Sequence, residues 1–280
     1  MSMMSIQTNV GSIAAQRSLS ATQTHLGGTL SKLSSGFRIT KAGDDAAGLF
    51  ISEKLRSEVN GTNQAIRNAN DAISMIQTAE GALNEIHAML QRMNQLAVQG
   101  ANGSLSEASR DAIIGEITQL ETEYGSIITR TRFAGQQLLN AGTVTFQIGT
   151  AQTDTLTVDF KDVAGELTTA MGTTIADLDP TDTTTFGDLI AALTDAGTGA
   201  IDVISTQRAL LGASQNRLEH TIANLSVAAE NLAASESRIR DADIAAETAN
   251  LSKHTVLMQA GVSVLAQANQ LPQIALKLLG

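Results

Sequence analysis

The side chains that most often carry catalysis or bind metals are the histidines and the paired acids, and neither group has the spacing of a known site. The four histidines lie far apart, at His25, His87, His220 and His254. The chain has no H-E-x-x-H motif, which places two imidazoles on one helix face for zinc. Asp44-Asp45 and Asp241-Ala242-Asp243 lack the length and the central glycine of an EF-hand calcium loop. The pattern predicts surface histidines, capping carboxylates and no metal site.

The motifs of nucleophilic catalysis and of nucleotide binding are also missing from the sequence. It has no G-x-S-x-G serine motif, no Walker A motif and no G-x-G-x-x-G after a strand pattern. Because the chain contains no cysteine, it has neither a disulfide nor a thiolate nucleophile. The sequence therefore predicts a protein that is not an enzyme and needs no cofactor.

The composition favours long helices over a globule built around large rings. Hydrophobic residues make up 42% of the 280 residues but aromatic residues only 2%. Aliphatic side chains suit narrow helix–helix seams, and the only two prolines, Pro180 and Pro272, leave two long segments without a helix breaker. The net charge of −10 argues against a nucleic-acid partner, because such proteins carry basic patches.

Membrane insertion is not predicted either. No stretch approaches the roughly 18 apolar residues of a membrane-spanning helix. The first residues lack the charged region and the apolar run of a cleavable signal peptide. On these grounds the protein is either cytosolic or exported by a route that needs no such signal.

Residues 33–48 form a joint between two helical patterns. Upstream, an apolar stripe on a helix over residues 10–35 contains Leu19, Leu26, Leu30 and Leu33. Gly36 lies where a left-handed glycine ends a helix, and Asp44 or Asp45 is placed to cap the next one. The pattern predicts a helix, a stop, a short loop, and then a longer helix.

That longer helix, over residues 46–100, has the strongest periodicity in the chain. Its apolar seam follows alternating steps of four and three through Leu55, Val59, Thr62, Ile66, Ala69, Ile73 and Ile76. After one extra step of three it resumes with Ala79, Leu83, Ile86, Leu90, Met93 and Ala97. A helix over 105–131, with Ser104 and Glu107 spaced as a capping box, should fold back against it. Helix is predicted again over about 199–237. A last helix is marked by Leu251, Leu257, Val264, Leu271 and Leu278.

The period changes to two around residues 142–160, which predicts a β-hairpin. Residues 143–149 and 155–160 alternate apolar and polar side chains around a loop. Short helical turns are expected near 175–178 and 186–193. The predicted fold class is mainly α: long antiparallel helices in a coiled-coil-like rod, a small β-hairpin region and a terminal two-helix coiled coil. Its domains are residues 1–45 with 240–280, and a rod of 46–239 with the β region at about 142–195.

Several segments resemble bacterial flagellin, the subunit of the flagellar filament. They are residues 6–9, 33–39, 42–48, 67–71, 77–83 and 90–92 near one end, and 237–243 and 259–270 near the other. The order of these segments matches the family over roughly 1–140 and 200–280. The short middle region is similar to that of flagellins without large outer domains.

The resemblance implies a structural subunit for swimming motility that is exported unfolded through a type III channel and forms an extracellular helical homopolymer. Other implied partners are the filament cap, the hook-junction proteins and an export chaperone. Polymerisation would use apolar residues of the terminal helices: Leu19, Leu26, Leu30, Leu33, Leu257, Val264, Leu271 and Leu278. The alternative within the family is a hook–filament junction protein, which shares the end motifs but matches less well in the centre.

The resemblance also implies candidate contacts to Toll-like receptor 5, an innate immune receptor. These are Gln91, Arg92, Leu96 and Glu116. Asn94 and Gln95 stand where the family commonly has charged residues, which removes two charges from this surface. The alternative is that Arg92 and Glu116 only make contacts between subunits.

Overall fold

The computed structural model describes residues 8–140 and 142–279, with side-chain positions for all of these except residues 173 and 271–279. Seven helices and four short strands follow one another in chain order within this part of the chain. They are α1 (Val10–Ser35), α2 (Ala46–Gly100), α3 (Glu107–Arg130), β1 (Arg132–Phe133), β2 (Gln136–Gln137), β3 (Thr143–Gln147), β4 (Thr155–Asp159), α4 (Val163–Ala176), α5 (Thr184–Thr194), α6 (Ala200–Arg240) and α7 (Ile244–Leu279). The predicted mainly α fold class is confirmed.

The chain divides into two compact units. One contains the residues up to Val59 and those from Glu230 onward, and the other is Asn60–Ala229. Both divisions fall inside helices, α2 and α6. The predicted domains instead divide at 45/46 and 239/240, where helices end, and that assignment remains a prediction.

The unit Asn60–Ala229 is held together by one apolar core around α2. The predicted seam is its centre: Ala69, Ile76, Ala79, Leu83, Ile86, Leu90, Met93 and Ala97 are fully buried. Ile117 of α3 and Leu211 and Leu218 of α6 belong to the same cluster. An interior of aliphatic side chains at coiled-coil spacing explains how a chain with so few aromatic residues forms this unit.

The predicted hairpin is present as the antiparallel pair β3–β4. Thr145 pairs with Thr157, and their hydroxyls lie 3.3 Å apart on the exposed face. On the opposite face Leu156 and Val158 are buried, and Phe160 follows them into the core. The alternation of period two therefore separates a packed face from a solvated one.

A second two-stranded ladder, β1–β2, has no counterpart in the sequence predictions. Its turn places Ala134 and Gly135 at φ of 49° and 86°, the left-handed pair of a type I′ hairpin. Strands of two residues are too short to show an alternating pattern, which is why sequence periodicity missed them.

The capping box predicted from Ser104 and Glu107 is wrong. Helix α3 begins at Glu107 with Ser106 as its N-cap, and the Ser106 side chain accepts a hydrogen bond from the Ser109 amide. Ser104 instead lies in the preceding turn, where its amide donates to the Asn102 side chain. Spacing alone did not distinguish two serines that lie two residues apart.

The middle of the chain is more helical than its sequence indicates. Two complete helices, α4 and α5, stand where only short turns were expected. Both bury apolar residues in the core, among them Leu167, Met171, Phe186 and Leu189. Packing supplies the stability that the weak local propensity of this Thr- and Gly-rich segment does not.

Tyr124, the only tyrosine of the chain, gives a spectroscopic test of this core. Burial raises its pKa to about 12, and the nearby Glu121 carboxylate adds to the rise. Because the unfolded chain ionises first, the phenol's contribution to stability is present below pH ~10 and is lost as the pH rises toward ~12. In a pH titration, tyrosinate absorbance should therefore have its midpoint near pH 12 in the folded chain and near pH 10 in guanidinium. Circular dichroism measured on the same samples shows whether the helices are still folded. Coincident midpoints with the helices intact would contradict the buried placement.

Candidate functional site

The joint brings the two ends of the chain together. Helix α1 stops at Gly36, whose φ is 74° and whose amide donates to the Lys32 carbonyl at 2.8 Å. The Arg38 amide then donates to the Arg240 carbonyl at 2.7 Å, and the Ala242 amide donates to the Gly36 carbonyl at 2.9 Å. Residues 36–38 and 240–242 thus form a short antiparallel pairing that places α1 and α7 side by side.

One acid of each predicted pair, Asp45 and Asp243, caps a helix. The Asp45 carboxylate accepts a hydrogen bond from the Gly48 amide at 2.8 Å at the start of α2, and Asp243 accepts from the Ala245 and Ala246 amides at the start of α7. Asp44 accepts from the hydroxyl and amide of Thr40 and from the Lys41 amide, and these bonds, chiefly the Thr40 hydroxyl, lower its pKa. Among residues 8–140 and 142–279, no group of three or more His, Asp or Glu side chains is placed to hold a metal ion.

Arg240, the last residue of α6, contacts both α2 and the joint. One of its terminal nitrogens lies 2.6 Å from the Glu53 carboxylate of α2. The same guanidinium stacks over the Phe37 ring, with its central carbon 4.6 Å from the ring centroid. Sequence reasoning missed this cluster, because Glu53 and Arg240 are 187 positions apart and neither belongs to a recognisable local motif.

Helices α1 and α7 pair in antiparallel orientation along their length. The Asn9 side-chain amide donates to the Ala268 carbonyl at 2.7 Å near one end, and Lys32 lies 3.7 Å from Glu247 near the other. Between these points the rings of His25 and His254 stack, with centroids 5.6 Å apart. The predicted terminal two-helix arrangement is therefore present in the unit that contains both chain ends.

A glycine sets how closely the two helices approach. A Cβ added at Gly261 of α7 would lie 3.2 Å from a methyl carbon of Leu19 on α1. Leu26 and Leu33 follow Leu19 at intervals of seven, and all three are half-buried. These three leucines of the predicted stripe thus lie on one helix face. On that face, Leu19 lies next to α7.

Three further residues of the predicted stripe point to solvent. Leu30, Leu257 and Val264 are 50%, 45% and 53% exposed. Leu271 and Leu278 lie in α7, but their side chains fall outside those that the structure describes. Other exposed large apolar side chains of the same two helices are Val10, Ile13, Ile244, Val256 and Val262.

Leu257 and Val264 also line a shallow groove between the two helices. Its other wall includes the small α1 residues Gly11, Ala14 and Ala15. An apolar groove beside exposed apolar side chains is typical of a surface that packs against further helices. The exposed apolar side chains and this groove together form a candidate assembly surface.

The candidate receptor residues lie in the other unit. Arg92 of α2 and Glu116 of α3 form an ion pair with a nitrogen–oxygen distance of 2.8 Å, and both side chains are about half exposed. Gln91 is exposed beside them and contacts His87. Leu96 is only 2% exposed, so it supports this surface from the core and is not part of it.

No helix in the described part of the chain combines the length and the apolarity needed to cross a lipid bilayer.

Comparisons with known proteins agree on one family. The bacterial flagellin N-terminal helical region matches residues 6–145, and the bacterial flagellin C-terminal helical region matches residues 194–279. Flagellin of Bacillus subtilis is 42% identical over 99% of this chain and all of its own length. The flagellar filament 33 kDa core protein of Treponema phagedenis is also 42% identical, with the same coverage. The crystal structure of Bacillus cereus flagellin is 31% identical and superposes with a TM-score of 0.50, covering 61% of this chain and 94% of its own.

Proposed function

The chain belongs to the bacterial flagellin family, and from this premise we propose that it is the polymerising subunit of an extracellular flagellar filament used for swimming. Flagellins are structural filament proteins and not enzymes, so the proposed role of this chain is to assemble into a filament. Relatives of similar length match it from end to end, which supports a short flagellin without large outer domains.

The observation that carries this proposal is the exposed apolar surface of α1 and α7. Among the side chains that the structure describes, eight large hydrophobic ones on these two helices, including Val10, Leu30 and Val256, are 45% to 70% exposed. Leaving so much apolar surface in water is costly, at about 25 cal/mol for each Å². Packing against the same helices of further copies would bury it, so each added subunit gains stability that the free chain lacks.

The same feature supports an unfolded export route. The pairing of α1 with α7 rests on half-buried leucines, small residues and a few polar contacts. Such a thin interface is stabilised mainly by the neighbours it acquires in the polymer. We propose that the chain passes unfolded through a type III channel, with an export chaperone, and meets the filament cap and hook-junction proteins during assembly.

Seeded growth tests the proposed function directly. Purified chain is added to short filament fragments, and filament length is followed by electron microscopy against a sample without seeds. A filament subunit should extend the seeds. A hook–filament junction protein should instead bind the seed ends and block their later extension by known flagellin. Seeds that neither grow nor become blocked would overturn the proposal.

Recognition by Toll-like receptor 5 is a second proposal, favoured by the exposed Arg92–Glu116 pair. If the pair forms the receptor contact, the charge reversals Arg92→Glu and Glu116→Arg should each weaken binding of the monomer, and the double variant should restore the ion pair but not the receptor contact. If both single variants bind like the parent chain, the pair serves only structure or subunit contacts.

A further inference from the structure

The chain contains two Asn-Gly dipeptides, and the fold places them in opposite environments. Asn60-Gly61 lies inside α2, whereas Asn102-Gly103 lies in the turn that follows the end of α2 at Gly100. Both Asn102 and Gly103 are exposed. Asn-Gly is the dipeptide in which the backbone amide most readily attacks the side-chain amide, because glycine has no Cβ to hinder the approach.

The geometry of the turn leaves the reacting groups of Asn102-Gly103 available. The Asn102 side-chain oxygen accepts a hydrogen bond from the Ser104 amide at 3.1 Å, and this bond polarises the side-chain carbonyl of Asn102. The Asn102 backbone oxygen accepts from the Leu105 amide at 3.3 Å. Within the described residues, the Gly103 amide has no hydrogen-bond acceptor.

The other dipeptide is protected by its helix. Residue 61 is in the interior of α2, where each amide is engaged by a carbonyl one turn earlier and the backbone is held in the helical conformation. Gly61 also packs closely against Thr150, which lies in the loop between β3 and β4. Reaction at Asn60 would therefore require local opening of the helix.

We propose that Asn102 is a site of spontaneous deamidation. The Gly103 nitrogen bonds to the side-chain carbonyl carbon of Asn102, the bond from that carbon to the side-chain nitrogen breaks, and ammonia leaves. Water then opens the cyclic imide at either carbonyl and leaves aspartate or isoaspartate. The sum is one water consumed and one ammonia released, with a new carboxylate and no oxidant or reductant.

The new carboxylate would arise beside a buried cation. Arg110 is 8% exposed, and its terminal nitrogens donate to the carbonyls of Pro180 at 3.2 Å and of Asn102 at 3.4 Å. None of the ion pairs of the described residues includes Arg110. An aspartate product therefore supplies a nearby counter-charge, whereas an isoaspartate product lengthens the main chain next to the carbonyl that Arg110 contacts. The modification would mark aged chains at the turn between α2 and α3.

The experiment uses the full folded chain, incubated in mildly alkaline buffer, digested with trypsin and compared with a zero-time sample by mass spectrometry. Peptide 93–110 reports Asn102 and peptide 57–67 reports Asn60. Deamidation raises a peptide's mass by one dalton, and protein isoaspartate methyltransferase serves as the reagent for the isoaspartyl product. We expect Asn102 to react at least about tenfold faster than Asn60, because only Asn60 must wait for helix opening.

Two controls test how Gly103 and the fold each affect the rate of deamidation at Asn102. Gly103→Ala should slow the reaction at Asn102 without disturbing the fold, because an added Cβ meets nothing within 4 Å. In guanidinium the two sites should react at similar rates. Equal rates in the folded chain, or a Gly103→Ala variant that reacts as fast as the parent, would overturn the proposal.

Discussion

Replacing Leu30 with aspartate is expected to abolish filament growth while leaving the subunit folded. Leu30 is 50% exposed on α1, so the free chain accommodates a carboxylate there at a cost within about 0.5 kcal/mol. In a filament packed through this face, the same carboxylate would be buried without a partner. A loss of about 3 kcal/mol per subunit contact would raise the critical concentration for growth roughly a hundredfold.

Growth from seeds and helical content, measured on the same preparation, check this prediction. Leu30→Met keeps an apolar side chain of similar volume and should polymerise like the parent chain. Normal filaments from Leu30→Asp would show that this face does not become buried on assembly. Loss of helix in the free Leu30→Asp chain would show that Leu30 is needed for the fold itself.

Leu83→Ala is expected to cause a large loss of stability. Leu83 is fully buried in the core of the unit Asn60–Ala229. Removing three carbons from such a site loses transfer free energy and leaves a cavity, which together lower the free energy of unfolding by about 2–5 kcal/mol. Urea unfolding followed by circular dichroism measures the difference.

A matched control lies two residues away on the same helix. Gly81 is exposed, and an added Cβ there meets nothing within 4 Å. Gly81→Ala should therefore raise the free energy of unfolding, by up to about 1 kcal/mol, through helix propensity alone. Changes of the same sign in the two variants would contradict the assignment of α2 faces to core and solvent.

Sequence periodicity predicted the long helices well, because each repeat depends only on residues three or four positions apart. The bounds predicted for α1 and α2 are those of the structure, and the hairpin β3–β4 lies where the period changes to two. The prediction failed for the β1–β2 ladder, for the extent of α4 and α5 and for the cap of α3. In the first two cases the local pattern was too short or too weak, and in the third two serines competed for one role.

The candidate assembly surface was predictable only in part. The apolar stripes on the two terminal helices can be read from spacing, and so can their need for a partner. Spacing did not show that Leu19 lies against Gly261 while Leu257 and Val264 face solvent. Which side of a narrow apolar stripe packs against the partner helix depends on how each helix is rotated about its own axis.

By itself, the sequence determined the family, the spans of the long helices, the α2 seam and the glycine that ends α1. These depend on local conformational preference and on hydrophobic period, both of which are encoded within a few neighbouring residues. Only the tertiary structure decided that residues 36–38 pair with 240–242 and that Arg240 joins Glu53 to Phe37. These contacts join residues about 190 to 200 positions apart, and such partners become neighbours only after the chain has folded back on itself.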